Sequence, residues 1–387
     1  MLTESPAAAT RAAHVPVYSQ FPVRAVSGRG CWLTDEDGNQ WLDAYGGHAV
    51  SSTGHSHPDV VRAITRQAEQ LLFYSAVVAL PGRELLARAL AERCPDPLNQ
   101  VFLCNSGAEA NENALHLARR RTGRSGVVSL EGGWHGRTVA ALACTDGAKY
   151  QRWAEGAGMP LSRKVPFNDA DALARTVDQT TAAVIIEPVQ GMAGARDCSP
   201  EFLQAAREIC TAAGAALIFD EIQCGVGRCG AFTAAESFGV TPDALTLAKG
   251  LASGLPAAAV VANPWLTDSL VTGDLGSTFG GGPVICAAAL ATLEVLDREN
   301  LIANAARVGA YLSERALALG VPRVTGRGLL LGLHLGRPAA PVQQALFARR
   351  ILTGTATDPQ VLRLLPPLSF AVPEADLLLA GLEEALR

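Results

Sequence analysis

The chain lacks the features that mark membrane-spanning, nucleic-acid-binding and secreted proteins. No run of about 18 apolar residues could cross a bilayer, because even the apolar stretch 251–262 is broken by Gly254 and Pro256. The net charge of −5 leaves no broad basic surface for nucleic acid. The N-terminus has no basic segment followed by an apolar core, so we expect no secretory signal and a cytoplasmic location.

The sequence also lacks the motifs that are typical of disulfide frameworks, nucleotide-binding sites and metal sites. The nine cysteines form no C-x-x-C pair, which predicts reduced, mostly buried thiols rather than a disulfide framework. The sequence contains no P-loop and no nucleophile-elbow serine. The glycines of 225–230 match a dinucleotide-binding pattern, but they begin beyond the end of a predicted strand and do not indicate such a site. His55 and His57 have no third ligand at a suitable spacing, so we expect no metal site.

What the chain does contain is the pattern of a large α/β protein. Hydrophobic residues make up 49% of its 387 residues, whereas aromatic residues make up only 5%. Predicted strands and helices alternate over residues 60–262, which indicates a mostly parallel, doubly wound sheet. Beyond residue 283 the pattern changes to α+β, with one helix predicted at 342–352. We predict three parts, namely an N-terminal arm and hairpin at 1–55 that packs with the small domain, a large cofactor-binding domain at 56–283, and a small α+β domain at 284–387.

Two polar residues stand where buried strands are predicted to end. Asp220 ends the apolar run 215–219, and Lys249 follows a second apolar run about thirty residues later. The carboxyl ends of parallel strands meet at the edge where such sheets bind ligands. A lysine amine can form a Schiff base and a carboxylate can keep a pyridine nitrogen protonated, which together are what a pyridoxal phosphate site needs. Either residue alone is common in loops, so the interpretation depends on the residues that share the edge.

Other candidate site residues follow neighbouring strands. The run Ser106-Gly107-Ala108 joins a strand to a helix, where backbone N–H groups could bind a phosphate or the serine could simply cap the helix. Trp134 follows two glycines and could stack on a planar cofactor or lie in the core, and Arg137 could bind a carboxylate. Arg363 is the only charged residue in 361–370, so we expect it to be paired or to bind an anionic ligand.

Taken together, these motifs resemble those of the class III aminotransferases of pyridoxal-phosphate fold type I. The likeness runs from about Val17 to the C-terminus, and within the family it is greatest for the acetylornithine and N-succinylornithine aminotransferases. Its motifs are long and specific, and they lie at 105–112, 135–138, 187–191, 220–223, 247–250, 276–281 and 362–367. The resemblance implies a large domain with a mostly parallel doubly wound sheet and a smaller α+β domain.

The resemblance also implies a role for each residue of a cofactor site. Lys249 would be the Schiff-base lysine and proton shuttle, Asp220 would pair with the pyridine nitrogen, and Gln223 would contact the ring hydroxyl. The proposed cofactor-binding residues are Ser106, Gly107, Ala108, Trp134, His135, Glu187, Asp220, Gln223, Lys249 and Thr278. Thr278 would reach the phosphate of the other subunit, which implies a homodimer.

The implied reaction moves the δ-amino group of N-acetylornithine to or from 2-oxoglutarate and glutamate in arginine biosynthesis, in two ping-pong half-reactions. Arg137 would bind the carboxylate distant from the reacting carbon, and Arg363 would bind the α-carboxylate of glutamate or 2-oxoglutarate. Tyr18 matches a tyrosine that lines the pocket in the family. The expected partners are therefore small-molecule substrates and a second copy of the chain.

Two departures from the family pattern keep alternatives open. Met192 stands where the family commonly has a glutamate that can pair with the arginine at 363, and Gly282 stands where asparagine is common. Another group could neutralise Arg363, or the substrate's acyl arm could offer a carboxylate, as N-succinylornithine would. Ornithine and 4-aminobutyrate are further candidate substrates. A racemase or decarboxylase fits the two arginines less well, and a non-enzymatic relative fits the retained lysine and aspartate less well.

Overall fold

The computed structural model describes residues 15, 17 and 20–387, so the predicted pocket residue Tyr18 lies outside the described residues. The strands are β1 (Ala25–Arg29), β2 (Trp32–Asp35), β3 (Gln40–Asp43), β4 (Gln100–Cys104), β5 (Gly126–Leu130), β6 (Arg163–Val165), β7 (Thr181–Ile186), β8 (Val189–Gln190), β9 (Arg196–Asp197), β10 (Ala216–Asp220), β11 (Ala244–Leu247), β12 (Ala258–Ala262), β13 (Arg323–Arg327), β14 (Leu330–His334), β15 (Ile351–Leu352), β16 (Gly354–Thr355) and β17 (Val361–Leu364).

The helices are α1 (Gly46–Ala49), α2 (Pro58–Gln70), α3 (Pro81–Ala91), α4 (Gly107–Thr122), α5 (Val139–Cys144), α6 (Ala148–Gly156), α7 (Ala170–Thr176), α8 (Pro200–Ala213), α9 (Ala234–Phe238), α10 (Pro264–Thr267), α11 (Pro283–Arg298), α12 (Leu301–Ala318), α13 (Ala339–Ala348) and α14 (Val372–Leu386), with a single 3-10 turn at Lys249–Ala252. The one-turn segment α1 has positive φ values at Gly47 and His48, and it is therefore an irregular turn. No helix in the described part of the chain is long and apolar enough to cross a membrane.

The centre of the fold is a seven-stranded sheet with the order β4-β12-β11-β10-β7-β5-β6. Strands β6, β5, β7, β10 and β11 are parallel, which confirms the predicted α/β sheet. Strand β12 is antiparallel to both of its neighbours, β11 and β4. The reversal follows from the connection between β11 and β12, which is shorter than the dozen or more residues that a parallel crossover requires.

Both faces of the central sheet are buried. In β10, Leu217 and Phe219 pack into one hydrophobic core, and the alternate residues Ala216 and Ile218 pack into a second core on the opposite face. Helix α8 covers one face of β10 and β7, whereas α4 contacts β11, β12 and β7 from the other. The apolar strand sequences are therefore continuous rather than alternating, as expected for a sheet covered on two sides.

One helix in the C-terminal part of the chain ends earlier than predicted. Helix α13 ends at Ala348, and residues 351–352 form β15, which pairs in parallel with β3. The predicted helix at 342–352 is wrong at its end because Arg350 adopts a left-handed conformation that stops the helix. The N-terminal sheet thereby takes the order β1-β2-β3-β15, and a separate antiparallel sheet β13-β14-β17-β16 carries Arg363 on β17. The division into domains at 55 and 283 stays a prediction.

Candidate active site

A cavity of about 390 Å³ lies at the carboxyl edge of the central sheet, beyond the ends of β4, β10 and β11. Nine of the ten residues predicted from the sequence to bind a cofactor line this single cavity, namely Ser106, Gly107, Ala108, Trp134, His135, Glu187, Asp220, Gln223 and Lys249. The fold brings them together because each lies at or near the carboxyl end of a strand of the same sheet.

Asp220 is the last residue of β10, and its carboxylate is almost completely buried. Its Oδ2 accepts hydrogen bonds from Asn111 Nδ2 at 2.7 Å and from His135 Nδ1 at 2.8 Å. Its Oδ1 accepts one from the backbone N–H of Ile222 at 3.1 Å. These donors compensate the loss of water that burial imposes on the carboxylate, and they fix its direction toward the cavity.

Asn111 is a site residue to which the sequence analysis gave no role. It lies on α4 with no exposed surface, and its Nδ2 also donates to the backbone carbonyl of His135 at 2.7 Å. Its Oδ1 accepts from Thr246 Oγ1 at 2.8 Å. The amide therefore links α4 to the ends of β10 and β11. The signal in the sequence was its place within the motif at 105–112, where an asparagine falls on the buried face of a helix.

Lys249 follows β11 at the start of the 3-10 turn and has a positive φ of 41°. Burial lowers its pKa, while the negative charges of Asp220 and Glu187 oppose that shift. A lowered pKa increases the fraction of neutral amine, which is the form that attacks a carbonyl group. The turn thus delivers a reactive amine to the same cavity as the Asp220 carboxylate.

Glu187 lies close to both Asp220 and Lys249. Its Oε1 accepts from the backbone N–H of Trp134 at 2.7 Å, and its Oε2 accepts from Gly191 N at 3.3 Å. Burial, followed by repulsion from Asp220, raises its pKa to about 8. The carboxyl group therefore holds the Trp134 turn in place at the cavity wall.

The N-terminus of α4 has the properties of a phosphate site. Ser106 caps the helix by accepting the Glu109 N–H at 3.2 Å, so the ordinary capping interpretation also applies. The first N–H groups of the helix have no partner within it, and the helix dipole favours an anion there. A side chain at Gly107 would approach Ile222 to 2.7 Å, so only glycine allows this close packing. Together with the lysine and the aspartate, this donor set fits pyridoxal phosphate.

Trp134 and Gln223 also line the cavity. Trp134 is partly buried, its ring meets Tyr150 edge-on at 5.0 Å, and the Arg137 guanidinium lies 5.3 Å from its ring centroid. Gln223 Nε2 donates to the carbonyl of His48 at 3.3 Å. A side chain at Gly191 would overlap Gln223 Oε1, so the glycine is required for the position of the amide.

Arg363 is buried on β17, and all its hydrogen-bond partners are neutral. Its Nε donates to the carbonyl of Thr355 at 2.6 Å, its Nη1 to the carbonyl of Gly191 at 3.1 Å, and its Nη2 to the hydroxyl of Tyr45 at 3.3 Å. It forms no ion pair with any residue in 20–387. A buried guanidinium without a carboxylate partner is suited to bind the carboxylate of a ligand.

Five of the described residues that the sequence singled out for the site do not line the cavity, namely Arg363, Arg137, Thr278, Met192 and Gly282. Arg137 and Thr278 are exposed. Met192 is partly buried, and its carbonyl accepts from Thr357 N at 2.9 Å. Gly282 is the N-cap residue of α11. The roles predicted for Arg137 and Thr278 therefore depend on a bound substrate and on a second subunit.

His57, one of the two histidines examined for metal binding in the sequence, has two carboxylates close to it. His57, Asp59 and Glu299 lie close enough for their ligand atoms to fall within 4.8 Å of one another. However, Arg298 pairs with both carboxylates, and Arg62 also pairs with Asp59. The arginines supply the positive charge, and we assign no metal site here.

Comparison with known proteins identifies the family. The profile of the family described as class-III aminotransferases matches residues 14–386. The chain belongs to this family. It is therefore a transaminase, and its cofactor is pyridoxal phosphate, as the site geometry also indicates.

Individual relatives carry related but different activities. An acetylornithine aminotransferase of Methanopyrus kandleri is 41% identical over 97% of both chains. A LysW-aminoadipate semialdehyde transaminase of Deinococcus radiodurans is 40% identical over 96% of this chain and 87% of its own. The structure of a Toxoplasma gondii ornithine aminotransferase with partial occupancy of pyridoxal phosphate at its active site has a TM-score of 0.89 and 32% identity, covering 96% of this chain and 91% of that one.

The raised pKa of Glu187 predicts how pH affects stability. The folded protein holds the Glu187 proton up to about pH 8, whereas the unfolded chain releases it near pH 4.5. The contribution of this group to folding stability is therefore fully present at low pH and is lost as the pH rises from about 4.5 to about 8. We expect Glu187→Gln, which mimics the protonated acid, to melt at a progressively higher temperature than the wild type from pH 5 to about pH 8, with a constant difference above.

The measurement is thermal unfolding of the two cofactor-free proteins across this pH range. Glu236→Gln is a suitable control, because Glu236 is exposed on α9. If the difference in melting temperature between the wild type and Glu187→Gln does not change with pH, the assignment of a raised pKa to Glu187 is contradicted.

Proposed function

We propose that the protein transfers the δ-amino group of N-acetylornithine to 2-oxoglutarate, and the reverse, as a step of arginine biosynthesis. The observation that carries the proposal is the buried Arg363 guanidinium with only neutral partners, together with the exposed Arg137 beside Trp134. Two arginines suit a dicarboxylate such as 2-oxoglutarate, which has one carboxylate next to the reacting carbon and a second one distant from it. The similarity to acetylornithine aminotransferases supports the donor substrate.

When bound, pyridoxal phosphate supplies the carbonyl that takes up the amino group and the ring that accepts the electron pair left by proton removal. The residues of this chain hold and surround it. We assign the phosphate to the N–H groups of Gly107 and Ala108, the ring face to Trp134, the ring hydroxyl to Gln223 and the ring nitrogen to Asp220.

We assign the proton transfers to Lys249 Nζ. Burial lowers the pKa of this amine, so a neutral form is available to take a proton from the reacting carbon and to return it. Asp220, fixed by Asn111 and His135, keeps the opposite end of the ring electron-poor. Glu187 keeps the Trp134 turn against the cofactor.

N-succinylornithine is the second candidate donor. Met192 replaces the glutamate that is common in the family, and the described residues offer Arg363 no carboxylate in its place. A succinyl group carries its own carboxylate, whereas an acetyl group does not, so the uncompensated arginine favours this alternative. Ornithine and 4-aminobutyrate lack an acyl arm and rank below both acylated donors. The cytoplasmic location stays a prediction.

We also propose that the enzyme is a homodimer in which Thr278 reaches the phosphate of the partner's cofactor. An apolar patch lies next to Thr278, and its members include Leu72 at 68% exposure, Phe73 at 39% and Phe279 at 63%. The patch adjoins the active site, because Asn105 and Pro256 line both the cofactor cavity and a cavity of about 420 Å³ within the patch. Exposed apolar area of this kind, next to an active-site mouth, favours a second copy as its occupant.

A substrate panel tests the reaction. With 2-oxoglutarate as acceptor, we expect kcat/KM for N-acetylornithine or N-succinylornithine to exceed that for ornithine and 4-aminobutyrate by at least about tenfold, because a site that contacts the acyl arm penalises donors that lack it. Steady-state glutamate formation is the measurement. Lys249→Ala, which should still bind the cofactor weakly but lose turnover, is the control.

The ratio of kcat/KM for N-acetylornithine to kcat/KM for N-succinylornithine decides which of the two is the donor substrate. A clear preference for N-acetylornithine would reject N-succinylornithine as the substrate. A higher kcat/KM for free ornithine than for either acylated donor would contradict the proposed function.

The dimer is tested by molar mass and cofactor retention. We expect a dimeric mass in solution and, for Thr278→Ala, an unchanged mass with roughly tenfold weaker retention of pyridoxal phosphate, because one hydrogen bond to a charged phosphate is lost. Thr272→Ala is the matched control, since Thr272 is an exposed threonine of the same loop. A fully active monomer would refute the shared site.

A further inference from the structure

Arg363 is linked through a tyrosine to a histidine that the sequence analysis did not single out. Arg363 Nη2 donates to the Tyr45 hydroxyl at 3.3 Å, and that hydroxyl lies 2.7 Å from His48 Nδ1. The Tyr45 and His48 rings are in edge contact, with centroids 4.8 Å apart. The three side chains therefore form a chain of hydrogen bonds that begins at the guanidinium and ends at an imidazole.

The position of Tyr45 in this chain is determined by its surroundings. Asp43 Oδ1 accepts the backbone N–H groups of Tyr45 at 2.9 Å and of Gly46 at 2.8 Å, which fixes the turn after β3. A side chain at Gly354, the residue opposite Arg363 on β16, would overlap the Tyr45 ring. Glycine at 354 thus lets the tyrosine lie directly over the strand pair that carries the arginine.

The direction of the hydrogen bonds determines the tautomer of His48. A guanidinium can only donate, so the Tyr45 oxygen accepts from Arg363 and its own proton is available to His48 Nδ1. Burial raises the pKa of Tyr45, which keeps that proton on the phenol. A neutral His48 that accepts at Nδ1 carries its proton on Nε2. This Nε2–H has no partner among residues 20–387.

The surroundings of His48 keep the imidazole neutral. Partial burial lowers the pKa of His48, and the nearby positive charges of Arg363, Lys249 and Arg137 lower it further. These three residues are the catalytic lysine and the two arginines assigned to substrate carboxylates. Gln223 of the cavity wall donates to the His48 carbonyl at 3.3 Å, so His48 lies beside the active site. His48 also has a left-handed backbone, with φ 67° and ψ 35°, and such strain is often found at functional sites.

We propose that His48 is a specificity-determining residue, whose Nε2–H donates to the same substrate carboxylate that Arg363 binds. Tyr45 is the positioning residue, since it holds both the guanidinium and the tautomer of His48. The inference rests on the proposed function, because the carboxylate next to the reacting carbon belongs to glutamate and 2-oxoglutarate. N-acetylornithine has no carboxylate next to its δ carbon and should not depend on His48.

The test measures the two half-reactions separately on the holoenzyme, from the change in cofactor absorbance after mixing with glutamate or with N-acetylornithine. His48→Gln keeps an N–H donor near the Nε2 position, whereas His48→Asn keeps only a group near Nδ1 but tolerates the left-handed backbone best. His48→Leu keeps neither. His116→Leu is the control, because His116 is exposed on α4.

We expect His48→Asn and His48→Leu to raise the half-saturating concentration of glutamate about tenfold, with little change in the limiting rate or in the N-acetylornithine half-reaction. His48→Gln and His116→Leu should remain within about threefold of the wild type, and Tyr45→Phe should also weaken glutamate binding.

Three outcomes would overturn the proposal. Wild-type affinity for glutamate in every His48 variant would show that the ring makes no contact with the substrate. Normal affinity in His48→Asn with a loss in His48→Gln would assign the effect to backbone strain. A wild-type holoenzyme that reacts with neither glutamate nor N-acetylornithine would refute the proposed function itself, and with it this inference.

Discussion

The site depends on one buried carboxylate, that of Asp220 at the end of the central strand β10. A carboxylate can be placed in a dry cavity only if other groups donate hydrogen bonds to it. Besides the backbone N–H of Ile222, the donors here are Asn111 from α4 and His135 from the loop after β5, so burial of Asp220 requires both elements to be in place.

The charges of the cavity are balanced against one another rather than paired one to one. Burial favours the neutral forms of Lys249 and Glu187, whereas their mutual attraction opposes this effect and the negative charge of Asp220 shifts the two pKa values upward. Arg363 adds a cation that only neutral groups contact. Under the proposed function, this balance leaves the positive charge of Arg363 for the substrate and a neutral Lys249 amine for proton transfer.

The sequence predicted the central sheet well, because long apolar runs mark buried strands. Nine of the ten candidate cofactor residues share one cavity because each lies at or near the carboxyl end of a strand, and their roles toward the cofactor stay a prediction. The sequence did not predict Asn111, Tyr45 or His48, since their roles depend on contacts between distant parts of the chain, 318 residues apart for Tyr45 and Arg363. Strand β15 was missed for the same reason: two residues form a strand only because β3 is beside them. The antiparallel direction of β12 could be predicted only from the short connection between β11 and β12.

Everything proposed for the reaction requires that Asp220 keep the pyridine nitrogen of the cofactor protonated. Nitrogen-15 NMR of the enzyme reconstituted with pyridoxal phosphate labelled at the ring nitrogen measures this directly. The structure predicts a protonated nitrogen in the wild type at neutral pH and an unprotonated one in Asp220→Ala. An unprotonated nitrogen in the wild-type enzyme would contradict the role assigned to Asp220.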